Sequence, residues 1–444
     1  MKGTTMDKKY IDRAKKLMSF IEKSPTAFHA VDSVTSRLES EGYSRIDESD
    51  RFELRRGGKY YVTRNRSSVI AFRIPDAGAD SFMIAASHSD SPMFKLKSNS
   101  VISVSDKYAK LNVERYGGMI MSSWFDRPLS VAGRVIIGDG GKIHSETVNI
   151  DRDIAVIPNV CIHYNRTAND GYKYNAQVDL LPIIGAKAEA SAINGIIAKE
   201  LGIDEKSIIS SDLYLYNRMK PTFIGLSDEF FSAPRIDNLA CAYCTFEGLI
   251  ESAPTDGVIQ ICAMFDNEET GSESKQGADS TFLHDIMLRI CGSLGISHEE
   301  YMRMIPASFM LSADNGHARH PNHPELSDCN NSPFMNEGVV IKYNANQRYT
   351  TDAVSAALFG QICERASVPT QVFANRSDLA GGSTLGNISS THVSVNTVDI
   401  GLAQLAMHSS YETAGTADID HMTRAVCSFF GTRITCRGDG IYEI

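Results

Sequence analysis

The stretch that decides the fold is "GVIQICAMFDNEETGS", residues 257–272. Its first nine residues are an apolar run of strand length without alternation, the pattern of a strand buried on both faces. Directly after it stand Asp266, Glu268 and Glu269. Acids this close repel one another, so the segment is either a solvated turn or the neighbour of something positive. In an open α/β sheet the carboxyl ends of the strands border the crevice where ligands bind, which makes the second reading worth pursuing.

The same pattern recurs along the chain. "SFMIAASHSDSP" (81–92) is an apolar strand that runs out into His88 and Asp90. Two apart on a strand, these side chains share a face, the relation of a metal-ligating His to the carboxylate that orients it. A surface His–Asp pair accounts for them equally well. "ASFMLSAD" (307–314) ends in Asp314, with His317, His320 and His323 in the loop behind, and "DIGLAQLAMHS" (399–409) carries His408. Asp237 precedes the helical pattern "NLACAYCTFEGLIES" (238–252), where a helix N-cap is the plainer role. Helical patterns at 281–295 and 353–366 alternate with these strands. Such alternation predicts an α/β domain with a mixed, mostly parallel sheet flanked by helices.

Between residues 96 and 234 the texture changes. Segments 97–125 and 129–150 alternate apolar and polar residues with Gly punctuation, which is hairpin and barrel patterning. The simplest organisation is a first part over 1–95, a β-rich insertion over 96–234, and a second part of the α/β domain over 235–444. At the start, Ile11, Leu17, Met18 and Ile21 predict an amphipathic helix ending before Pro25, with Ser24 as cap of a second helix.

Composition narrows the function. The chain has 444 residues and a net charge of −10 without a basic face, which argues against a nucleic-acid partner. No apolar run approaches the roughly 18 residues of a membrane span, and the basic N-terminus lacks the apolar core of a signal peptide, so a cytoplasmic location is expected. Nine dispersed cysteines suggest no disulfide framework, and Cys241 and Cys244 read as buried thiols of a helix. There is no G-x-S-x-G elbow, no G-x-x-x-x-G-K-[ST] loop and no G-x-G-x-x-G after a strand. What remains is an inventory of His and carboxylates at the ends of apolar elements, suited to a pair of divalent ions.

The motifs "SHSDSP", "RIDNLACAY", "DNEETGS", "SADNGHARHPNHPE", "IKYNANQRY", "GGSTLG" and "MHSSYETAG", with "SPTAFHAV" before them, resemble the M18 family of aminopeptidases, in order from residue 24 to 415. The resemblance implies two Zn²⁺ per subunit, with Co²⁺ or Mn²⁺ as substitutes. It implies His88 and Asp314 on one ion, Glu269 and His408 on the other, and Asp237 bridging both across a cis peptide to Asn238. Glu268 would be the general base and Asp90 the residue orienting His88. His163 in "CIHYNR", reaching a neighbouring subunit's site, His317 and Lys342 match positions near the substrate. The insertion would be a dimerisation domain, with dimers assembling into a tetrahedral dodecamer. Asn315 and Gly316 depart from the family's pattern beside Asp314. The expected activity is removal of N-terminal residues from peptides, with acidic Asp/Glu preference because His163 and Lys342 could pair with a carboxylate. The alternatives are the same chemistry on neutral, Leu-type residues, or a non-catalytic metal-binding oligomeric scaffold. Glu268 counts against a scaffold, because a pure binder needs no base.

Overall fold

The computed structural model of the chain describes residues 6–444. Its architecture is α/β and is built on a nine-stranded mixed sheet. Four central strands lie side by side and parallel: Gly257–Phe265, Ala79–His88, Phe309–Ala313 and Asn396–Gly401. Antiparallel strands Ser68–Arg73 and Val339–Tyr343 flank them. Every residue of Gly257–Phe265 is buried, as an unbroken apolar run predicts for a strand covered on both faces.

The two faces are filled by different helices. On strand Ala79–His88, Met83 and Ala85 join a core containing Leu17, Leu239 and Phe429, from helices Lys8–Lys23, Ile236–Glu251 and Asp418–Phe430. The alternate residues Phe82, Ile84 and Ala86 join a core containing Phe282, Ile286 and Tyr301, from helices Phe282–Leu294 and His298–Met304. The period-two alternation of a strand distributes these side chains, and the two cores lock the four strand ends into one plane.

A second sheet of six antiparallel strands draws its strands from Met93 to Asn217 and has its own core around Phe94, Leu111, Trp124, Val131 and Leu215. A third sheet orders Thr222–Ile224, Phe230–Ala233, Glu412–Gly415, Ala403–Leu405 and Gly316–His317. Strands on either side of position 234 therefore meet, because Phe230–Ala233 pairs with Glu412–Gly415.

The first helix buries Leu17, Met18 and Ile21 as its periodicity predicts. Ser24, expected to cap the second helix, instead closes the first, its N–H donating to Ile21 O at 3.1 Å. The second helix, Ala27–Ser40, begins after Thr26, whose hydroxyl is paired with His29 Nδ1 at 2.8 Å. Cys241 and Cys244 are buried free thiols. Among the described residues no helix is long and apolar enough to cross a membrane.

Gly401 ends one of the central strands against the chain at Asp314. A β-carbon there would stand 1.9 Å from Asp314 O, a backbone atom that cannot swing aside. Gly401→Ala is expected to destabilise the protein by about 1–3 kcal/mol, the usual cost of overpacking a tight contact. The urea midpoint of the metal-free protein checks this, and an unchanged midpoint would contradict it.

Candidate metal centre

The parallel strands deliver the side chains. His88 is the last residue of its strand and stands in register with Phe265, so the acids after Phe265 emerge beside it. Asp314 directly follows Phe309–Ala313. His408 sits in the turn between the strands Ala403–Leu405 and Glu412–Gly415, in the left-handed region at φ 66°. Asp237 lies where the chain enters helix Ile236–Glu251, in a non-helical conformation with a cis peptide to Asn238. Its carboxylate turns towards the histidines and does not cap the helix.

These six side chains gather into overlapping clusters. His88, Asp237 and Asp314 offer ligand atoms within 4.8 Å of one another, and so do Asp237, Glu269 and His408, and His88, Glu268 and Glu269. His88 Nε2 is 3.4 Å from Asp314 Oδ1 and 3.7 Å from Asp237 Oδ1. His408 Nε2 is 3.4 Å from Asp237 Oδ2 and 3.4 Å from Glu269 Oε2. The two oxygens of Asp237 thus face two different imidazoles. Glu268 Oε2 lies 4.0 Å from His88 Nε2 and belongs to the more open side of the site, with His408.

Outer contacts fix these groups. Asp90 accepts the backbone N–H groups of Glu268 (3.2 Å) and Glu269 (3.1 Å), and its Oδ1 is 3.3 Å from His88 Nδ1. Tyr116, from the second sheet, donates its hydroxyl to Asp90 at 2.6 Å and accepts from Asn267 Nδ2 at 2.8 Å. The same sheet continues into Gly118, whose carbonyl accepts from His408 Nδ1 at 2.5 Å, and Ile120, whose N–H donates to His408 O at 2.9 Å. Ser91 Oγ donates to Asp237 O at 2.6 Å. Ring orientation through the second nitrogen is the arrangement expected of ligating histidines.

The charge balance is lopsided. Burial and the neighbouring carboxylates raise Glu268 to about 8, against the pull of His88, and raise Glu269 well above the ordinary carboxylate range. Asp314 goes the other way: burial opposes ionisation, but the Lys342 ammonium and His88 hold it well below the ordinary range. Asp237 Oδ1 and Glu269 Oε1 are buried without a hydrogen-bond partner. Buried carboxylate oxygens left so are costly, and a divalent cation held among these His and carboxylate groups would satisfy them. N/O donors of this kind suit zinc.

The remaining expected residues are placed differently. Lys342 is only 2% exposed, donates to Asn315 O at 2.8 Å, and lies 3.6 Å from Asp314 Oδ2. Its amine is buried and committed to these two partners. His317 is exposed three residues after Asp314, edge-on to Phe373. His163 is exposed among Val160, Ile162 and Tyr164. The departing residue Asn315 is buried and knits the region, donating to Gln404 Oε1 at 2.7 Å and Ile236 O at 2.9 Å. Tyr116, Gly118 and Glu412 escape a reading of the sequence.

Residues 20–430 match the family model described as aminopeptidase I zinc metalloprotease (M18). A protein of Clostridium acetobutylicum called "Probable M18 family aminopeptidase 2" is 45% identical over 423 residues, covering 94% of this chain and 97% of that protein. The fold superposes on the Ape4 chain solved by cryo-EM in complex with Nbr1, with a TM-score of 0.92 and 34% identity over 96% of this chain and 87% of that one. It also superposes on the S. cerevisiae mApe1 dodecamer subunit, with a TM-score of 0.83 and 26% identity over 95% of this chain and 97% of that one.

Because a cation binds the folded site and not the unfolded chain, Zn²⁺ at about a thousand times its dissociation constant is expected to stabilise the protein by about 4 kcal/mol. Thermal melting of chelator-stripped and zinc-reloaded protein measures this. Superimposable melts would contradict the metal reading.

Proposed function

The chain belongs to the M18 family of zinc aminopeptidases, and from that premise we propose that it holds two zinc ions and cleaves the first residue from peptides, preferring N-terminal Asp or Glu. The observation that carries the two-ion reading is Asp237, whose Oδ1 faces His88 at 3.7 Å while its Oδ2 faces His408 at 3.4 Å. His88, Asp314 and Asp237 would hold one ion, and Glu269, His408 and Asp237 the other. The same donors admit Co²⁺ or Mn²⁺.

When bound, the ions supply Lewis-acid polarisation of the scissile carbonyl and lower the pKa of water. The chain's own residues do the rest. Glu268, on the open side of the cluster, takes the proton of the attacking water and passes it to the leaving amine. Asp90 fixes the backbone of Glu268 and Glu269 and the ring of His88 together, so base and ligands keep one relative geometry. Lys342 keeps Asp314 ionised from beneath. The acidic mouth accommodates the free α-ammonium of a peptide, which restricts cleavage to the first bond.

Acidic preference is supported by His317, exposed three residues after Asp314, and by the exposed His163, which would be offered to the site of a neighbouring subunit. The burial of Lys342, whose amine is committed to Asn315 and Asp314, favours the second reading, a neutral first residue. Residues 96–234, which contain most of the second sheet, would join subunits into dimers and the dimers into a tetrahedral dodecamer. The exposed Val160, Ile162 and Tyr164 around His163 support a surface that another copy covers. The nine free cysteines support a reducing, cytoplasmic location.

A panel of aminoacyl anilides, assayed with and without chelator, tests the activity and ranks Asp, Glu and Leu substrates. Glu268→Gln is expected to retain both zinc ions and lose at least about a hundredfold in kcat, the usual contribution of a general base. Near-normal turnover in that variant would remove Glu268 from the role.

A further inference from the structure

Two buried carboxylates brace the site from opposite sides. Asp90 serves the segment carrying Glu268 and Glu269. The other is Glu412, at the start of strand Glu412–Gly415 and 1% exposed. Its Oε1 accepts the backbone N–H of His408 at 2.8 Å and Gln404 Nε2 at 3.2 Å. Its Oε2 accepts the backbone N–H of Asp237 at 3.0 Å. One side chain therefore joins the turn that presents His408 to the segment that presents Asp237, which lies 175 residues before Glu412 in sequence.

We infer that Glu412 is a positioning residue for the His408–Glu269–Asp237 centre, selectively over the His88–Asp314–Asp237 centre. The inference rests on the two-ion reading above. Selectivity follows from the contacts. Of the three ligands in the first set, Glu412 holds the backbone of two, His408 and Asp237. In the second set it holds only Asp237, while His88 is held by Asp90 and Asp314 stands beside Lys342. His408 also occupies a left-handed conformation at φ 66°, unusual for a residue with a β-carbon, so its turn needs an anchor to keep that shape. A single buried side chain that accepts three N–H groups ties their segments together, and each N–H would lose its partner without it.

Glu412→Gln separates the parts. With its amide oxygen at the Oε1 position the NH₂ group faces the Asp237 N–H; turned the other way, it faces the His408 N–H. The first orientation loosens a ligand that both centres share and the second a ligand of the His408 centre alone, so the loss falls more heavily on the His408 centre.

The test strips both proteins of metal, reloads them with Zn²⁺, and counts ions per chain by mass spectrometry against rising concentrations of a competing chelator. Circular dichroism and melting of the metal-free forms verify folding. Wild type is expected to hold two ions. The variant is expected to give up the two ions unequally, one at a chelator strength corresponding to a 10–100-fold loss of affinity and the other, which shares only Asp237 with it, after a smaller loss. Glu412→Asp, which keeps the charge but is one methylene too short to reach both N–H groups, is expected to lose the same ion. Both ions weakening alike, or neither weakening, overturns the inference. So does failure of both metal-free variants to fold, which would assign Glu412 to the fold and not to the centre. A wild type that binds fewer than two ions would instead remove the two-ion reading itself.

Discussion

A single carboxylate caught between two imidazoles organises this molecule. Asp237 puts one oxygen towards His88 and the other towards His408, and Glu269, Glu268 and Asp314 crowd the same space. So many acids can share a largely buried volume only if some keep their protons or positive charge lies among them. The protein itself supplies one buried ammonium, Lys342, placed behind Asp314. Bound zinc supplies such charge, and the proposed pair of ions would give the orphaned oxygens of Asp237 and Glu269 their partners.

The three sheets each contribute to holding that arrangement. The nine-stranded sheet sets the positions, because four adjacent parallel strands end on one edge. The third sheet brings in Glu412 and Gln404, which fix the turn bearing His408. The second sheet reaches the centre through Tyr116 on Asp90 and Gly118 on His408. A region read from its sequence as an assembly module thus also touches the candidate centre directly, at Asp90 and at His408.

What the sequence makes legible follows from how each residue is signalled. Long apolar runs fix where parallel strands end, so His88, Glu268, Glu269 and Asp314 can be read as neighbours before any coordinates exist. Asp237 and His408 are weaker: an acid before a helix and a lone His near an apolar stretch have plainer explanations, and only the ordered motifs lift them above those. Hydrogen bonds between distant segments leave no local pattern, so Glu412, Tyr116 and Gly118 could not be found that way. Nor does a sequence say which way a lysine on a buried strand points, and the amine of Lys342 is buried against Asp314. Ser24 shows the same limit at short range: two helices meet there, and a cap for either reads alike.

The most direct measurement is anomalous diffraction at the zinc edge from crystals of the zinc-loaded protein. The account predicts two peaks per chain, one against each carboxylate oxygen of Asp237, the first beside His88 and Asp314 and the second beside His408 and Glu269. A single peak, or two peaks that Asp237 does not touch, would contradict it.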